Sequence, residues 1–335
     1  MAQYIARRLL QTIPLLLGVT IVVFLGMHVI PGDAASAMAG QGVTAAEIQH
    51  ARHELHLDQP LPVQYWYFLT GAVHFDFGSS LRTHDSVMTD IGQALPTTIQ
   101  LTIAALILAI IIGMGVGVLA ATQRGKITDT LAMSIVLVGV SMPVFWTGVL
   151  LLIYFGATLG WFPIGGSLDN SINLHTITGM TVVDSILTGN LPALKSALSH
   201  LVLPAFTLSL FPAAGIARMT RTTMVEALRQ DYIRTARAKG LGRLSVVWKH
   251  ALRNALIPVV TVIGLQLGLL LSGAVLTESV FALPGIGQLI VTSIQARDYP
   301  VVQGIVLIAA SLFVLVNLLV DITYAYLNPR IQYNS

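Results

Sequence analysis

Six stretches of roughly twenty residues or more contain no Asp, Glu, Lys or Arg: 9–30, 101–121, 131–155, 198–217, 255–276 and 301–320. A helix of about 20 apolar residues crosses the ~30 Å hydrocarbon layer of a bilayer. One full charge at the centre of such a helix costs roughly 2.5–3.5 kcal/mol, so six clean stretches in one chain are a strong constraint. A transmembrane barrel would show alternating segments of about ten residues instead. The sequence therefore predicts an all-α polytopic membrane protein with six transmembrane helices. Over 335 residues, 55% are hydrophobic and 10% charged, with mean hydropathy +0.78. A soluble domain carries about 25% charged residues, and a disordered chain is poor in apolar ones; both classes are excluded. There is no cysteine, hence no disulfide, thiolate metal site or cysteine nucleophile.

Arg7 and Arg8 precede the first stretch in the manner of a signal peptide. The stretch is too long for a signal core, and Ile30-Pro31-Gly32-Asp33 is a poor cleavage site, so an uncleaved helix is expected. Positive residues fix orientation. With the N-terminus inside, the inner side receives fourteen of the eighteen Lys and Arg, nine of them between Arg218 and Arg253. Both termini are expected in the cytoplasm. The external segments are then 31–100, 156–197 and 277–300. The first holds a capping box, Thr44-Ala45-Ala46-Glu47, predicting a short helix to about Leu57. The third holds an apolar run broken by Pro284-Gly285-Ile286-Gly287, too short to span, and reads as a re-entrant or interfacial element.

Nucleotide chemistry is absent from this chain. Gly125-Lys126 lacks the upstream Gly and the following Ser or Thr of a phosphate loop, and no H-E-x-x-H occurs. His50, His53 and His56 recur every third residue. Such side chains rotate by about 60° per step around a helix, which favours a polar surface over a metal site. His28 and His200 lie within spans, where an ionisable residue either serves function or bonds a neighbouring helix. Gly113 and Gly117, and likewise Gly264 and Gly268, lie four apart on single helix faces and suit close helix packing. Glu278, Gln266, Pro284 and Gly285 are the candidates for a translocation path or gate. Glu278 is placed to meet a cationic cargo group, or to be an ordinary interfacial charge.

The inner connection 218–253 is the most informative. A charge-bearing helix around Tyr232, Ile233 and Ala236 is broken by Gly240-Leu241-Gly242, and a second amphipathic stretch, 244–252, returns to the membrane. Topology control and attraction to anionic lipid account for the charge. The amount of helix exceeds a connector's needs and suits docking into another protein. Tyr232-Ile233-Arg234-Thr235-Ala236-Arg237-Ala238-Lys239-Gly240-Leu241 resembles the coupling signature of binding-protein-dependent ABC importer permeases, in the dipeptide, oligopeptide and nickel branch. The family's acidic residue is replaced by Arg234-Thr235, while Gly240 keeps its spacing. His250-Ala251-Leu252-Arg253-Asn254-Ala255, Arg297-Asp298-Tyr299-Pro300 and Asn328-Pro329-Arg330 agree, and the resemblance covers nearly the whole chain.

The resemblance implies a type I ABC importer permease fold in a bacterial inner membrane, with the transmembrane core at 94–325, the coupling loop at 218–254 and a tail at 326–335. Residues 1–93 would supply the first helix and a long external segment. It further implies a homologous second permease subunit, two cytoplasmic ATPase subunits and an external substrate-binding protein. ATP and Mg would be used by the ATPases, with no cofactor on this chain. Nucleic acid has no role. Cargo would be a dipeptide, or else an oligopeptide, glutathione, a nickel chelate or haem. Contact with the ATPase would fall on Arg234, Thr235, Ala236, Lys239 and Gly240, with Ala236 and Gly240 small enough to fit a groove. An ion-coupled secondary transporter is the competing class; it requires protonatable groups at the midplane, where the spans offer only His28 and His200.

Overall fold

The computed structural model describes residues 2–29, 49, 53 and 58–327. The capping box, His50 and His56 lie outside the described residues. The first helices are α1 Ala2–Val29, α2 Leu61–Val73 and α3 Val87–Thr122. Then come α4 Ile127–Ser141 and α5 Val144–Leu151, the latter extended by a π-helical turn, Leu152–Thr158. They are followed by α6 Thr181–Leu187, α7 Leu191–Ala227 and α8 Asp231–Ala238. A turn at Arg243–Ser245 and a π-helical stretch at Val246–Ala251 lead into α9 Leu252–Val280. The last two are α10 Ile286–Gln295 and α11 Tyr299–Leu327. Among the described residues the only non-helical pairing is an isolated bridge, Ser79 to Ser86.

Among the described residues, four helical stretches are long and apolar enough to cross a membrane, and five if α4 and α5 count as one. The expected third span, 131–155, is therefore not a continuous helix: α4 and α5 meet at a bend of 101°. The cause is Pro143. Its ring disfavours helical ψ at the preceding residue, and Met142 and Pro143 are extended, with ψ 138° and 132°. Pro14, Pro96, Pro204, Pro212 and Pro258 lie inside continuous helices. Helix α1 runs 28 residues, with an apolar stretch at Leu10–Gly26.

The chain forms two compact units, Met1–Pro96 with Pro284–Leu315, and Thr97–Leu283 with Val316–Ser335. In the first, Val87, Ile91, Ile286, Val301 and Ile305 form a core. Gly304 permits it, since a Cβ there would sit 2.7 Å from the Val87 side chain. His28 bonds the Phe24 carbonyl at 2.8 Å and Gln64 Oε1 at 3.0 Å, joining α1 to α2. The Ser80 hydroxyl donates to Asp298 at 2.6 Å, pinning the loop before α3 to the start of α11.

In the second unit, α7 is the most enclosed span: two-thirds of its apolar window is buried, against one-third for α3. The two faces of α3 show how a wholly apolar helix chooses its inner side. Ala105 and Ala109 are fully buried, while Ile103, Ile107 and Ile111 are half-exposed or more. Lipid solvates Ile as well as protein does, so hydrophobicity cannot choose; close packing of small side chains does. A Cβ on Gly113 would lie 2.7 Å from the Ala213 carbonyl, and one on Gly117 2.6 Å from Thr220 Cβ. Gly264 packs directly on Val320, and Gly268 is buried.

Candidate functional site

The inner connection is built as an elbow. Helix α7 continues ten residues beyond the expected span end at Ala217, to Ala227. After Leu228 the chain turns at Gln230, which is extended (ψ 153°), and α8 begins. Helix α8 ends in a Schellman motif: the Gly240 amide donates to the Arg237 carbonyl at 2.9 Å, and the Leu241 amide to Ala236 at 3.3 Å. That geometry requires a left-handed residue, and Gly240 has φ +78°. A residue with a Cβ strains there. Next to Gly240 there is open space. The turn by itself calls for glycine at this position.

Ile233 and Ala236 face inward. They pack with Met224, Ala227, Val246 and Ala251 in a core that also takes Val118 and Ala121 from α3. Ala236 is thus occupied by its own chain, and its small side chain lets α8 lie close to that core. Arg234, Thr235, Arg237 and Lys239 are exposed. Arg234 sits 3.5 Å from Asp231, with both side chains open to solvent, a pair worth little. The elbow is therefore one-sided, with an apolar inner face fixed to the helix ends and a cationic outer face left open.

Beside it lies an ion pair that sequence reading missed. The Arg221 guanidinium grips the buried Asp129 carboxylate through two bonds, Nε at 2.7 Å and Nη2 at 2.8 Å. The Gly125 amide adds a third at 3.2 Å. This two-pronged geometry is the strong form of the interaction. It ties the foot of α4 to the extension of α7. The available signal was Asp129 itself, the single acid in the short inner connection facing nine basic residues.

The remaining candidates do not join this site. Glu278 is completely buried and accepts a 2.7 Å bond from Thr98. The Gln266 side-chain carbonyl oxygen is buried without a hydrogen-bond partner among the described residues, and its amide nitrogen lies against Gly215. Gly285 is buried as the residue preceding α10, and Pro284 is exposed. His200 bonds the Ser196 carbonyl at 2.8 Å, a helix-internal role. His53 is exposed and bonds Asp58 at 2.9 Å. No group of three metal-ligating side chains occurs among the described residues.

Comparison with known proteins places this geometry. Residues 113–333 match the family described as binding-protein-dependent transport system inner membrane component, and residues 1–102 match its N-terminal segment. The chain belongs to this permease family. It is 46% identical over 333 residues to the dipeptide transport system permease protein DppB of Alkalihalophilus pseudofirmus, covering 99% of this chain and 100% of that one. The DppB of Escherichia coli K12 is 43% identical, with complete coverage of both. The glutathione transport system permease GsiC of E. coli O1:K1 / APEC is 41% identical, covering 99% of this chain and all of the other. Among solved structures, the inward-facing MetNI methionine ABC transporter aligns with TM-score 0.55 at 19% identity, covering 72% of this chain and 97% of that one. The permease fold is thus that of an ABC importer, and the protein is a non-catalytic inner-membrane component of a binding-protein-dependent system.

Proposed function

We propose that this permease forms half of the translocation path of an ATP-driven dipeptide importer and receives its motive force through the outer face of α8. Full-length identity of 43% and 46% to dipeptide permeases supports the cargo. The observation that carries the coupling role is the one-sided elbow: α8 is locked from within by Ile233 and Ala236, while Arg234, Thr235 and Lys239 are exposed.

Swinging a two-state gate from 1:99 to 99:1 takes about 5.5 kcal/mol of differential binding. A cargo that binds both states equally supplies none of it. The chain has no nucleotide motif, so the work enters from two partner ATPases that use ATP and Mg. Their closure pushes on α8. Because α8 shares a core with α3, α7 and the foot of α9, the push moves packed helix ends rather than a loose strand. A homologous permease supplies the other half of the path, and an external binding protein delivers the peptide. In this arrangement both termini are cytoplasmic. Gln266 and Glu278, with Pro284 and Gly285 at the start of α10, are the polar and hinge positions assigned to the path. Glu278 acts there as a buried, Thr98-bonded strut.

The test is uptake by the reconstituted complex. Arg234→Glu with Lys239→Glu should leave the permease folded, with unchanged melting, yet lower ATP-driven dipeptide uptake more than tenfold. Wild-type uptake by that variant rejects the coupling assignment. Orientation is read separately. The chain has no cysteine, so a single Lys239→Cys should react with an impermeant maleimide only from the cytoplasmic side.

A further inference from the structure

The elbow also encloses a pocket of about 410 Å³ that the coupling role does not use. Arg237 and Arg243 stand on it together with Leu228, Leu241, Val246 and Val247. The valines are buried and both arginines exposed, so two guanidinium groups border an apolar cleft. Neither arginine has a carboxylate partner among the described residues, whereas Arg221 and Arg234 do. Thr122, the last residue of α3, completes the wall, so the pocket opens where a span ends.

The flank marks the same level. Leu244 is 75% exposed and Trp248 52% exposed. Four residues apart on one helix, they share a face. A Trp beside an exposed Leu, one turn from the charged end of a span, belongs to the aromatic belt of a membrane–water interface. That pattern suits an elbow lying against the headgroup layer. A pair of unpartnered guanidiniums matches phosphate oxygens two bonds at a time, and the adjoining apolar wall suits the glycerol and first methylenes of the same molecule.

We propose that this pocket is a binding site for the phosphate of an anionic phospholipid of the inner leaflet, held by Arg237 and Arg243 with Leu241 and Val246 against its apolar part. The bound lipid ties the elbow to the bilayer surface. The proposal rests on the cytoplasmic placement of the elbow, which the Lys239→Cys labelling reads independently of any lipid.

The test uses the whole complex, purified from membranes containing phosphatidylglycerol and phosphatidylethanolamine, with co-purified lipid quantified by mass spectrometry. The wild type should retain phosphatidylglycerol selectively. Arg237→Gln with Arg243→Gln should retain roughly tenfold less, and washing with excess inorganic phosphate should not displace the lipid from the wild type. Arg218→Gln with Arg229→Gln, which removes two exposed charges of the same connection outside the pocket, should retain it fully. Equal retention by the pocket variant overturns the site, as does equal loss in the control variant. Displacement by inorganic phosphate makes it a free-anion site instead. Loss of the ATPase from the pocket variant with its lipid intact shows that the arginines face protein carboxylates. Should the Gln pair fail to fold, Arg237→Lys with Arg243→Lys keeps the charge but not the fork. It should retain an intermediate amount, and wild-type retention by it would remove the two-bond recognition.

Discussion

The elbow at 228–243 and the connection at 156–190 are both polar excursions of the same compact unit, and they are held in opposite ways. The elbow hides an apolar face and leaves its charge outside. The other connection buries a carboxylate among its own donors. The buried Asp184 carboxylate accepts the Thr178 hydroxyl at 2.6 Å and amide and accepts the Ile177 and Gly179 amides at 3.2 and 3.1 Å. Nearby, the Gly166 amide bonds the Phe281 carbonyl at the end of α9. A carboxylate enclosed by its own loop's amides is not presented to a partner. A connection fixed only by apolar burial keeps its charges available. That contrast is the reason α8, and not the longer 156–190 segment, carries the proposed contact.

The comparison can be broken most severely at Ile233. Ile233→Ala removes the fully buried anchor of α8, and should cost about 2–4 kcal/mol through lost burial and the cavity left behind. Thermal unfolding in detergent should show a clear drop, and ATP-driven uptake should fall with it. An unchanged melting temperature would mean that the elbow does not depend on its inner face.

Asp184 sharpens the other side. Burial pushes its carboxyl pKa up, but hydrogen bonds from Thr178, Ile177 and Gly179 outweigh this and hold it below the usual value. A depressed pKa contributes stability that is present above the unfolded value of about 3.9 and lost as pH falls through the folded one. Asp184→Asn should therefore cost about 1–3 kcal/mol at pH 7. It should also flatten the loss of stability that the wild type shows on acidification below about pH 4. Parallel pH–melting curves for the two proteins would count against the carboxylate's role. The smallest effect is expected at Gly240, where Ala at a left-handed position costs about 1 kcal/mol and Asn less. Equal melting of Gly240→Ala and wild type would show that the turn adapts.

Much of this was legible beforehand, for identifiable reasons. Charge-free stretches reported apolar helices because a bilayer tolerates few charges, although 131–155 forms two helices and not one. Gly113 and Gly117 reported the α3–α7 contact because only small residues admit such closeness. Pro143 and Pro204 read alike in the sequence, yet one breaks a span and the other lies inside a helix. The ring disfavours a helical predecessor without forbidding it, so the residue type alone does not announce which outcome follows. Asp129 and Arg221 are 92 positions apart, so no local pattern announces their pairing.

The sequence alone determined that this chain lives in a membrane, which family of permeases it belongs to and where its basic elbow lies. Each of these follows from local composition and short motifs. Only the tertiary structure decided which residues of the elbow face inward, which glycine takes the left-handed turn, and which arginines among the described residues lack a carboxylate partner. Those outcomes depend on side chains from separate helices meeting, and in a chain where nearly every helix face is apolar, packing and not hydrophobicity makes that choice.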